Sequence, residues 1–83
     1  GSMTARAAPI AVPQPPLAAM HADRRGTLWV ATESSLFRLA GLRLEPMPMR
    51  GATLGEITEI SSDSEGGLWV HDAASGLWRW RHG

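Results

Sequence analysis

The sequence predicts an all-β chain made of two similar antiparallel units in series. Two observations carry that expectation. The phrase DRRGTLWV, from Asp23 to Val30, returns 40 residues later as DSEGGLWV, from Asp63 to Val70, and a fixed period of this length marks a repeated supersecondary unit. Within each copy, short apolar runs are separated by clusters of Asp, Gly, Ser and Pro, the composition of strands joined by tight turns.

Residues 1–8 comprise an expression-tag scar, Gly1, Ser2 and Met3, and an N-terminal arm. Residues 9–13, PIAVP, are short, apolar and bounded by prolines, which suits an edge strand that completes another unit. The first unit spans 17–49. LAAMHA (17–22) leads into a turn at Asp23 and Gly26, where the carboxylate caps turn amides and the glycine accepts a positive φ. TLWVAT (27–32) returns as the second arm of a hairpin, LFRL (36–39) follows a turn at ESS, and LRLEPM (42–47) ends at its prolines. The second unit spans 54–81 and repeats three of these strands. They are EITEISS (56–62), GLWVHD (67–72) after a turn at Asp63 and Gly66, and LWRW (77–80).

A period near 40 residues, four short strands per unit and a recurring Trp form the pattern of a β-propeller blade. The wording D-x-x-G-x-L-W-V-A-T followed by S-S-L-F-R-L, and D-x-x-G-G-L-W-V followed by S-G-L-W-R-W, resembles the two-component regulator propeller repeat over residues 17–47 and 56–81. Ser35 stands where that repeat usually has glycine, and Asp72 replaces the threonine that Thr32 supplies in the first copy. The resemblance implies a sensor region of bacterial hybrid histidine kinases or diguanylate cyclases. Such a region is periplasmic, binds a signal and relays it to a membrane-coupled output domain, without being an enzyme itself.

In a propeller each sheet lies between two others, so its middle strands are apolar on both faces. Leu28 and Val30 are expected to face one neighbour, and Trp29 and Ala31 the other. Trp78 and Trp80 lie together, with Leu77 and Arg79 opposite. The inter-blade core is read as Leu28, Trp29, Val30, Phe37, Leu68, Trp69, Val70, Trp78 and Trp80, each large side chain contributing about 1.5–3 kcal/mol when fully buried. Two blades leave two outer faces bare. The expected fold is therefore two four-stranded antiparallel β-propeller blades that complete a ring by oligomerisation. Copies of the chain form a homotrimer of six blades or a homotetramer of eight, residues 9–13 of one copy completing the three-stranded blade of the next. The alternative is a fragment of a longer, single-chain propeller.

Charge narrows the function. Eight arginines, with no lysine, balance eight Asp and Glu residues, and neither sign forms a block, which argues against a nucleic-acid partner or an anionic membrane surface. No apolar run approaches the roughly 20 residues of a bilayer span, and the lack of cysteine fits either redox compartment. His21, His71 and His82 share no ligand spacing, and the loops at Asp23 and Asp63 hold too few carboxylates for calcium, so neither a metal nor a cofactor is expected. The serines cluster in turns with no base selecting one as a nucleophile. A similarity to the propeller-shaped streptogramin lyases would make His71 a general base, and a purely structural oligomerisation unit is the other alternative. Binding is the remaining class. His21, Thr53, Glu56 and Ser61 are expected at the channel mouth, facing a small-molecule or glycan ligand, and the arginines and tryptophans suit sugar or carboxylate recognition.

Overall fold

The computed structural model describes residues 5–13 and 15–81, so the tag scar and His82 lie outside the described residues. Among those residues the chain has seven strands, no helix and two antiparallel sheets. The first sheet contains β1 (Ala19–Ala22), β2 (Leu28–Ala31), β3 (Leu36–Ala40) and β4 (Arg43–Pro46), and the second contains β5 (Ile57–Ser62), β6 (Leu68–Asp72) and β7 (Gly76–Trp80). Both are meanders in which each strand pairs with the next. Residues 9–13 form no strand and pair with neither sheet of their own chain. The prolines at 9 and 13 withhold two of that segment's backbone donors.

The repeated turns explain the repeated words. Gly26 and Gly66 both sit at φ +83°, in the left-handed region where a side chain is strained. Each donates its amide back to the aspartate three residues earlier, to Asp23 at 3.0 Å and to Asp63 at 3.3 Å. The returning strand then pairs antiparallel, Met20 opposite Val30 in the first sheet and Ile60 opposite Val70 in the second.

Alternation along the strands sorts the side chains into two faces. Trp29, Ala31 and Leu36 of the first sheet meet Ile57, Ile60, Leu68 and Val70 of the second in one apolar core. Trp80 closes one end of it, its ring edge-on to Trp29 at 5.4 Å and 72°, an arrangement that adds to simple burial. Leu28 and Val30 point the other way, as expected, and Val30 lies opposite Phe37 on the face turned from the second sheet. Polar links join the sheets as well. His21 Nε2 and Ser62 Oγ share a hydrogen bond of 2.6 Å, and the Ile57 amide donates to the Glu33 carbonyl at 2.9 Å.

The two copies differ at the end of the second strand of each sheet. Asp72 is fully buried and accepts four backbone amides: Gly55 and Glu56 on one oxygen, at 2.7 and 2.8 Å, and Ala74 and Ser75 on the other, at 3.0 and 2.9 Å. It thus ties the segment entering β5 to the turn between β6 and β7. Thr32, its counterpart, is equally buried, and its Oγ1 has no partner. The same 40-residue offset explains the exchange, because Pro15 and Pro16 stand where the second copy has Gly55 and Glu56. Proline has no amide to give, so a carboxylate at position 32 would lack the two donors that one oxygen of Asp72 receives.

Candidate functional site

Asp23 and Asp63 are each the centre of a small clamp. Asp23 Oδ1 accepts the amides of Arg25 and Thr27, both at 2.9 Å, and Oδ2 accepts the indole N–H of Trp29 at 2.9 Å. Asp63 repeats the pattern with Glu65 at 3.0 Å, Gly67 at 2.8 Å and the Trp69 indole at 2.8 Å. The spacing of six residues from Asp to Trp is therefore the reach of one carboxylate across a turn to the strand that follows.

Asp63 takes one further donor, Arg79 Nε at 3.0 Å, and the same guanidinium lies 5.7 Å from the centre of the Trp69 ring. The equivalent Arg38 instead pairs with Glu45 on β4 at 2.9 Å. This difference explains Gly67, where the first copy has Thr27: a Cβ at 67 would collide with Arg79 Nε and Asp63 Oδ2. The Arg79 guanidinium, then the Gly67 amide and the Trp69 indole, hold the Asp63 carboxyl well below the usual carboxylate range. Partial burial acts to raise Asp23, but the Trp29 indole and the Thr27 and Arg25 amides outweigh it and leave the group lowered. Asp72 is lowered too, chiefly by the Glu56 and Gly55 amides.

Between the two clamps lies a cleft of about 520 Å³. Trp29, Trp80 and Leu68 give it an apolar floor, and Arg24, Arg25, Arg38 and Arg81 line its rim beside Ser62 and Ser64. Arg24, Arg25 and Arg81 are exposed and hold no ion pair among the described residues. Asp23, Asp63 and Glu65 also line the cleft, but Asp23 and Asp63 are committed to their clamps and Glu65 lies 3.5 Å from Arg79. The cleft therefore offers spare guanidinium donors over an indole surface.

No family model, curated protein or solved structure matches the chain.

The four residues expected at a channel mouth divide into two pairs. His21 and Ser61 lie at the end of the strands next to the aspartate turns, where His21 bonds to Ser62, the neighbour of Ser61. Thr53 and Glu56 lie beyond the other end of β5, about 17 Å away at the usual strand rise. There the Thr53 carbonyl accepts the Ser75 hydroxyl and the Glu56 amide serves Asp72. His71 sits on the exposed face of β6, its Nδ1 within 2.8 Å of Thr58 Oγ1 and Glu59 opposite it on β5. Sequence reading did not single out Arg24, Arg25 and Arg81. The adjacent arginines of the first turn were a visible signal, but their proximity to Arg81 arises only when the sheets stack.

Proposed function

We propose that the chain is a pair of β-propeller blades that completes a ring with copies of itself and serves as an assembly and sensing module. One observation carries this reading. The second sheet has three strands with β7 as its open edge, while the apolar segment 9–13 makes no strand pairing among the described residues. A segment 9–13 lent to the neighbouring copy gives every sheet four strands, the usual content of a blade. Three copies make a ring of six blades and four make eight, both within the usual range of propellers. The resemblance to the two-component regulator propeller implies a periplasmic sensor context for such a ring. Light scattering on the whole chain tests the reading. A mass of three or four chains supports it, and a single-chain mass refutes it in favour of a fragment of a longer propeller.

The cleft favours a second reading, signal binding. Unpaired guanidinium groups around an indole floor suit a small oxyanion carrying an apolar or ring portion, since guanidinium meets carboxylate or phosphate with two parallel hydrogen bonds. Thermal unfolding in inorganic phosphate and in malonate, each against chloride at matched ionic strength, separates the two anion chemistries. A saturable rise in Tm with one of them, lost on replacing Arg24, Arg25 and Arg81 by Gln, supports binding. An equal response in the variant, or none in the wild type, refutes it.

A further inference from the structure

Beside the aspartate turns, each sheet ends its inner face in one row of side chains. In the first sheet the row runs His21, Trp29, Arg38, and in the second Ser62, Leu68, Trp80, each residue directly opposite the next and therefore on the same face. The rows meet at two points. Trp29 lies edge-on to Trp80 at 5.4 Å, and His21 Nε2 lies 2.6 Å from Ser62 Oγ. The cleft of about 520 Å³ opens onto these rows, with Ser62 in its wall beside Leu68, Trp29 and Trp80. The structure thus supplies what the sequence did not show, a base within reach of one of the serines. Both partners are half-buried.

The repeat does not ask for this pair. At the 40-residue offset His21 falls on Ser61 and Ala22 on Ser62, immediately before the shared Asp23 and Asp63. One copy builds its turn after an alanine and the other after a serine, so the hydroxyl and the imidazole are additions to the scaffold. We propose that Ser62 is a nucleophile and His21 its general base, acting on carboxylic esters whose acyl part carries an anionic group. The anionic specificity rests on the cleft reading above, and the nucleophile adds a reaction to it. With the other imidazole proton on Nδ1, Nε2 takes the Ser62 proton as Oγ bonds to the ester carbonyl carbon. The bond from that carbon to the alkoxy oxygen then breaks, and the alcohol leaves with the proton from Nε2. Water attacks acyl-Ser62 in the same way, and Nε2 returns the proton to Oγ as the acid departs. Water is the co-reactant and nothing is oxidised or reduced. Arg24, Arg25 and Arg81 meet the acyl anion and favour negative charge developing in the cleft, while the indoles of Trp29 and Trp80 take the apolar part. Every group named comes from one chain, so the reaction does not depend on assembly.

The experiment treats the whole chain with a fluorophosphonate, maps the label by peptide mass spectrometry, and follows release of nitrophenol from nitrophenyl acetate and from the mono-nitrophenyl ester of succinic acid. The label is expected on Ser62, a position that the wild type alone reveals. His21→Ala is expected to slow ester turnover by about 10²–10⁴-fold and to recover in part with added imidazole, which a purely structural link between the sheets would not do. Ser34→Ala, at an exposed turn serine outside the cleft, is expected to keep the wild-type rate. Far-UV circular dichroism checks the strand content, and His21→Gln, which keeps a hydrogen bond without a base, replaces His21→Ala should that variant fail to fold. A wild type that takes no label on Ser62, or a folded His21 variant of unchanged rate, overturns the proposal and leaves anion binding to its own Tm test. The succinate ester is expected to react at least about tenfold faster than the acetate, a preference lost when Arg24, Arg25 and Arg81 become Gln. Equal rates on the two esters overturn the anionic specificity and leave the nucleophile standing.

Discussion

Replacing Thr32 by valine removes a hydroxyl that is 2% exposed and has no hydrogen-bond partner, and substitutes a methyl group in a side chain of the same shape. A buried polar group without a partner costs about 1–3 kcal/mol. The Thr32 amide, which donates to the Ser35 carbonyl at 3.0 Å, is untouched by the change, so the turn keeps its backbone bond. Taking the lower end of that range, Thr32→Val is expected to stabilise the fold by about 1 kcal/mol, which for a domain of this size is about 4–8 °C in Tm. The assay is thermal unfolding at one fixed protein concentration, because any association adds its own stabilisation. Asp72→Val, which puts valine at the equivalent position, is expected to lower Tm strongly, since it orphans the four amides that now reach one carboxylate. Thr32→Asp is expected to destabilise alone and to recover when Pro15→Gly and Pro16→Glu restore the missing donors. A lower Tm for Thr32→Val would show that the hydroxyl is satisfied and that the pairing of Thr32 with two prolines has been misread.

The lowered carboxyl groups fix the direction of acid sensitivity. Asp23, Asp63 and Asp72 all have folded pKa values below their ordinary ones, so their contribution is complete above the unfolded value near 4 and is lost as the pH falls through the folded values. Tm measured from pH 7 to pH 2 is therefore expected to be flat to about pH 5 and then to fall; a rise on acidification contradicts the clamps. Trp29→Phe keeps most of the ring but loses the indole bond to Asp23, which at about 1.5–3 kcal/mol for a bond to a charged group should be visible in chemical denaturation. A change below about 0.5 kcal/mol would mean that the turn amides alone satisfy Asp23.

The strands were legible because each lies between chemically explicit turns. The two aspartate turns placed β2 and β6 within a residue of their expected starts, and alternation within LWVA assigned Trp29 and Leu28 to opposite faces. Partnerships across the stack were not legible. Nothing local to Asp72 says that its oxygens collect amides from residues 16 and 17 positions upstream, or that His21 reaches Ser62. The channel-mouth set failed to converge for the same reason. His21, Thr53, Glu56 and Ser61 were grouped by nearness to strand ends, without regard to which end, and β5 holds its two ends apart.

Where the copies differ, the difference follows from the partner each strand has. In the first sheet β4 brings Glu45 opposite Arg38, which takes that carboxylate and leaves Asp23 to the turn amides and Trp29. In the second sheet β7 has no neighbouring strand on its outer side among the described residues, and Arg79 folds back onto Asp63, which requires glycine at 67. The segment proposed to cover that edge, PIAVP, contains no carboxylate that could draw Arg79 away. Closure of the proposed ring along β7 would thus leave the Asp63 clamp intact. By contrast, a fourth strand bearing an acid opposite Arg79, as Glu45 lies opposite Arg38, would compete with it.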